Sequence, residues 1–67
     1  MNIVLLDQPD WISGDVVVLR DHRAVHIRKV LKAQVGDSLR VGLLGGLCGQ
    51  GLIEAVEASG VQLRVQL

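Results

Sequence analysis

Ser38-Leu39-Arg40-Val41-Gly42-Leu43-Leu44 alternates: Leu39, Val41 and Leu43 fall on one side of an extended chain, Ser38, Arg40 and Gly42 on the other. Val61, Leu63, Val65 and Leu67 interleave with Gln62, Arg64 and Gln66 in the same way. A period of two marks a strand with one buried face. Between these stretches, Gly45, Gly46, Gly49 and Gly51 cluster in an expected hairpin loop and its flank, where positive φ or a bulge is expected. Leu52–Glu57 reads as the next strand, and Ser59-Gly60 turns the chain. The C-terminal half is therefore three strands joined by short turns.

Working upstream, Gly36-Asp37 is a tight turn, and the pattern before it changes period. From His22 to Lys32, Ala24, Ile27 and Leu31 recur at spacings of three and four, with Val30 at the edge of that face, as on an amphipathic helix. Asp21 stands where an N-cap accepts from a free backbone amide. Arg28, Lys32, Lys29, His22 and His26 fill the remaining arc, with Val25 exposed among them. Further upstream, Val16–Leu19 is a β-branched short strand, Ser13-Gly14-Asp15 breaks the chain, and Asp7-Gln8-Pro9-Asp10 is a turn or loop. Asn2–Leu6 reads as a buried apolar strand. Short strands with turns between them suggest a mainly β fold, a small barrel or sandwich with one short α-helix, and we expect five or more strands closed into a barrel. Closing such a sheet protects its edges.

Sixty-seven residues make a single domain, 1–67. A chain of this size hides only about 60% of its unfolded surface, and the apolar content of 49% offsets that deficit. The apolar runs Ile3–Leu6 and Val16–Leu19 are far shorter than the roughly 20 residues a membrane helix needs, and no signal peptide is read at the start. We expect a cytoplasmic protein with no membrane partner. The chain stops on a strand without a polar tail, from which we expect a cut near a domain border.

Net charge is zero, yet its distribution is uneven. Arg20 to Lys32 holds five basic residues (Arg20, Arg23, Arg28, Lys29, Lys32) and the single acid Asp21, while the rest holds Arg40, Arg64 and six acids. Such asymmetry predicts one positive face. It has two readings: a phosphate-gripping helix that gains affinity from counterion release, or a solvated helix face. Trp11 is the only aromatic residue, so a single-strand platform that stacks several bases is excluded. RNA, if bound, is held by backbone and shape.

Other candidates point away from catalysis. Cys48 has no partner for a disulfide and no neighbouring base to make it a nucleophile. His22 and His26 have helical spacing for a metal pair but lack a third ligand in sequence. Gly45-Gly46-Leu47-Cys48-Gly49 lacks the Lys-Ser/Thr ending of a phosphate loop, and Asp37 is a turn residue. His26 either donates to a phosphate or base or ties the helix to a nearby loop. Trp11 is expected to plug the barrel end or to touch a further domain.

His26-Ile27-Arg28-Lys29-Val30-Leu31-Lys32, followed by Val35-Gly36-Asp37, an alternating strand and the glycine-rich hairpin of Leu44–Gly51, resembles the N-terminal domain of the ribosomal RNA small-subunit methyltransferase E family. The opening Met1-Asn2-Ile3-Val4-Leu5-Leu6-Asp7 is similar to one branch of that family. Three features depart from it. Lys32 replaces the usual Arg, Leu44-Gly45-Gly46 stands where many members carry Asp-Gly, and an aromatic-containing Arg motif at the start is absent. The resemblance implies a PUA-like barrel that targets ribosomal RNA. It also implies a separate C-terminal SPOUT domain that binds S-adenosylmethionine and forms a homodimer. The parent activity would be methylation of a uridine N3 in 16S ribosomal RNA within the small ribosomal subunit.

The expectation is an RNA-binding module without catalytic or cofactor-binding residues of its own, holding RNA through Arg23, His26, Arg28, Lys29 and Lys32. The alternatives are a structural or dimerisation barrel of a larger enzyme with no RNA contact, and an unrelated SH3-like interaction domain. A structural role predicts an exposed apolar patch and self-association.

Overall fold

The structure, a computed structural model, describes residues 3–43 and 45–67. Asn2 and Leu44, the outer residues of two expected strands, lie outside the described residues, as does Met1. Five strands form in chain order: β1 (Ile3–Leu6), β2 (Val16–Leu19), β3 (Ser38–Leu43), β4 (Cys48–Glu57) and β5 (Gly60–Gln66). A 3-10 turn (Gln8–Asp10) precedes β2. Between β2 and β3 lies α1 (His22–Val25), which widens into a π-helical stretch at His26–Val30.

The sheet order is β1-β3-β4-β5-β2, so the strands curl into a half-barrel with β1 and β2 as its edges. The expected mainly β, one-helix fold is present. The hairpins β3–β4 and β4–β5 are antiparallel, as is β2–β5, whereas β1 runs parallel to β3 with Val4 opposite Val41. The alternation in β5 works as its pattern dictates: Val61, Leu63 and Val65 are buried. They meet Val17, Leu19, Val41 and Ile53 from the other strands and Ala24 and Ile27 from the helical segment in one core. Trp11 packs partly buried against that core and bridges Val17.

Four expectations are corrected. The strand Asn2–Leu6 is not buried on both faces: Val4 and Leu6 point inward while Ile3 and Leu5 are exposed, because the edge strand has the sheet core on one face only. β4 begins at Cys48 rather than Leu52, so Gly49 and Gly51 lie within a strand. Of the four clustered glycines, Gly45 and Gly46 take positive φ, at 111° and 108°. Gly49 answers to a different demand: a Cβ there would run into the backbone of Gln66 and Leu67, where β4 crosses the end of β5. Finally, the helix stops at Val30 rather than Lys32, since Lys32 adopts the left-handed region with φ 52°.

Candidate nucleic-acid interface

The helical segment begins with a polar clamp. Asp21 caps it, its Oδ1 accepting from the Arg23 backbone amide at 3.0 Å. The Arg23 side chain then folds back so that all five guanidinium hydrogens face acceptors. Nε donates to both carboxylate oxygens of Asp21, at 3.0 and 3.1 Å. Nη1 donates to the Leu5 carbonyl at 2.6 Å and to Asp10 Oδ2 at 2.7 Å. Nη2 donates to Asp10 Oδ1 at 2.7 Å and to Asp21 Oδ2 at 2.9 Å. Asp10 is itself fixed by a capping box, in which its Oδ2 accepts from the Asp7 amide at 2.7 Å.

Charge-assisted bonds of this geometry are the strong ones. Hydrogen bonding to Arg23 lowers the Asp21 carboxyl from its ordinary 3.8 to about 2. It lowers Asp10 as well, against the opposing effect of burial. The guanidinium, bonded first to Asp10 and then to Asp21, is held more firmly protonated than usual. Arg23 and Asp10 side chains keep 20% and 11% of their exposure, which leaves little of Arg23 for an external anion.

The other end of the segment is built differently. Leu31 N donates to His26 O at 3.1 Å, the bond that widens the helix, and Ala33 N reaches Ile27 O at 3.1 Å across the left-handed Lys32. A π turn inside a helix is uncommon and recurs near functional sites. Lys29 and Lys32 are exposed here and Arg28 is half-buried, its Nε enclosed without a hydrogen-bond partner among the described residues. No carboxylate pairs with Arg28, Lys29 or Lys32 among the described residues, in contrast to Arg23 and Arg64.

The five sequence-derived candidates thus divide. Arg28, Lys29 and Lys32 share the free end. Arg23 is held in the clamp. His26 is exposed and lines, with His22, Val25 and Val30 of the helical segment and Ile3 and Leu5 of β1, a groove of about 520 Å³. Sequence reasoning missed Asp10 as the partner of Arg23. The signal available was the Asp7-x-x-Asp10 spacing, which matches a capping box rather than a loose loop. It also missed a second cluster, in which Arg64 bridges Asp15 and Glu54 at 3.0 Å each in an exposed setting.

Cys48 is exposed, with Sγ 3.8 Å from the Gly46 carbonyl. Among the described residues no group of three or more His, Cys, Asp or Glu side chains is placed to hold a metal ion. No helix among them is long and apolar enough to cross a membrane. The groove of about 520 Å³ is walled mainly by Ile3, Leu5, Val25 and Val30, and the donors of Arg23 beside it are occupied.

No protein-family profile matches the chain. It is 39% identical over 54 residues, 79% of its length, to a ribosomal RNA small subunit methyltransferase E of Treponema pallidum (strain Nichols). The chain covers 20% of that relative's length. Its fold matches the crystal structure of a predicted RNA methyltransferase from Thermotoga maritima, with a TM-score of 0.74 at 12% identity over 97% of this chain and 28% of that one. It also matches a hypothetical protein with a TM-score of 0.77 at 15% identity, over 98% of this chain and 28% of the other. At those identities the two structures speak for the fold alone, whereas the curated relative speaks for the sequence. The two agree, and the chain is a small β-barrel domain related to the ribosomal RNA small-subunit methyltransferase E family.

Proposed function

We propose that this domain holds ribosomal RNA for a 16S ribosomal RNA (uridine-N3) methyltransferase, gripping the sugar-phosphate backbone through Arg28, Lys29 and Lys32 with His26 at the margin. One observation carries the reading: three cations crowd the free end of the helical segment with no carboxylate to neutralise them among the described residues. Arg28, Lys29 and Lys32 lie within five positions of one another, and like charges held that close repel in the free protein. A polyanion relieves that repulsion and releases its own counterions on binding. Arg23 is excluded from the contact set because its donors are occupied. In this reading the parent enzyme is a cytoplasmic homodimer. S-adenosylmethionine binds to a separate C-terminal SPOUT domain, and this domain contributes neither catalytic nor cofactor-binding side chains.

The test is charge neutralisation without truncation. Arg28→Gln, Lys29→Gln and Lys32→Gln together should weaken binding to a small-subunit ribosomal RNA fragment and flatten the dependence of log affinity on log salt by about two units, at roughly 0.7–0.9 per phosphate contact. Unchanged affinity and slope would reduce the basic end to a solvated face. The alternative, a barrel that only packs within a larger enzyme, has one observation in its favour: Ile3, Leu5, Val25 and Val30 stand 43–64% exposed around a single groove. It predicts concentration-dependent self-association in sedimentation, with no RNA binding.

A further inference from the structure

We infer that Arg23 is a positioning residue for RNA binding: it sets the orientation of the basic end without touching the RNA. The inference rests on the proposed function and adds a part that nothing in the resemblance assigns. Three separate pieces of chain meet at its guanidinium. The Leu5 carbonyl belongs to edge strand β1, Asp10 to the 3-10 turn, and Asp21 to the helix cap, with six contacts between 2.6 and 3.1 Å. The β1–Arg23 bond joins an edge strand to the helical segment where no strand ladder can.

The placement in the chain matters as much as the contacts. Arg23 sits in α1, one turn before the π-helical residues His26–Val30 that carry Arg28 and Lys29. A helix is stiff over a turn, so an orientation fixed at Arg23 is transmitted to the side chains that follow. Buried Ala24 and Ile27 hold the segment against the core, but an apolar contact does not define its rotation as sharply as a forked guanidinium does. A lysine at this position supplies one point charge and three flexible donors, which cannot reproduce the planar fork across three acceptors. The inferred role therefore depends on geometry rather than on charge.

The experiment measures affinity of the protein for a small-subunit ribosomal RNA fragment across a salt series, for Arg23→Gln, Arg23→Lys, Lys29→Gln and Val61→Ala. Arg23→Gln should bind about tenfold more weakly with its salt slope unchanged, since no phosphate contact is lost. Arg23→Lys should fail to restore affinity. Val61→Ala, which removes buried bulk on β5 and none of the acceptors that Arg23 uses, should lower the melting temperature at least as much yet leave affinity intact. Amide exchange at His26–Val30 should quicken in Arg23→Gln ahead of β3–β5. A slope reduced by a full contact, roughly 0.7–0.9, would make Arg23 itself a phosphate ligand and overturn the inference. Unchanged affinity in Arg23→Gln, full rescue by Arg23→Lys, or an equal loss in Val61→Ala would overturn it too. If Lys29→Gln alters neither affinity nor slope, the RNA reading fails first and the inference falls with it.

Discussion

The two ends of the helical segment treat their cations in opposite ways. At the start, Arg23 meets two carboxylates and a carbonyl, and the local charge is more than neutralised. At the finish, Arg28, Lys29 and Lys32 have no carboxylate among the described residues, the helix is widened by a π turn, and a lysine takes the left-handed closing position. The same residue types thus perform two tasks within eleven positions, 22 to 32. What separates them is the sequence they can reach: Asp10 and Asp21 are close to Arg23 in space, while the nearest turn beyond Lys32 uses Asp37 to cap its own backbone, accepting from the Gln34 amide at 2.9 Å. A basic residue count therefore overstates the surface available to an anion.

The comparison breaks most decisively at Ile27, the fully buried side chain between the two ends. Ile27→Ala should cost about 2–5 kcal/mol in urea denaturation, because the transfer and cavity penalties add. A cost under about 1 kcal/mol would mean that the core does not anchor the segment, and the contrast of a held and a free end would lose its basis.

Acid sharpens the comparison by acting on one end only. The Asp21 carboxyl is lowered from its ordinary 3.8 to about 2 by its hydrogen bond to Arg23, so its contribution is complete above about pH 4 and is lost as pH falls through about 2. Asp21 keeps 47% of its side-chain exposure, so solvent screening limits the effect to a few degrees in melting temperature. Asp21→Asn keeps a capping oxygen and should show a smaller loss over that interval. Equal acid sensitivity in both proteins would place the titration elsewhere.

The smallest effect concerns the free end. Lys32→Gly relieves a left-handed backbone but gives the unfolded chain more freedom, for a net gain of about 0.5 kcal/mol. The same change should flatten the salt slope of RNA binding by roughly 0.7–0.9. Stability and affinity would then move in opposite directions, which a purely structural lysine does not produce.

Much of the fold was legible because alternation reports burial directly. Val61, Leu63 and Val65 face the core as their spacing required, and Ala24 and Ile27 do so on the helix. The misreadings share a physical cause: they depend on distant chain. Ile3 and Leu5 read as buried because they are apolar, and they are exposed because the sheet packs its core on the other face. Lys32 closes the helix without the glycine that normally announces such a stop. At the candidate site, the basic cluster was visible as composition, but its division was not. Nothing local links Arg23 to Asp10, thirteen positions away and bonded through a fork.

The parallel pairing of β1 with β3 has a consequence for how the chain reaches this state. Ile3 lies opposite Arg40 and Val16 opposite Arg64, so both edge strands pair with segments made much later in synthesis. The β3–β4 and β4–β5 hairpins close short loops and incur little chain entropy, whereas the edges close long ones. On a translating ribosome β1 emerges well before β3 and finds no partner until Ser38–Leu43 has followed it, and β2 waits for β5. Each edge strand is therefore made before the strand that secures it, and β2 waits for the last strand of the sheet.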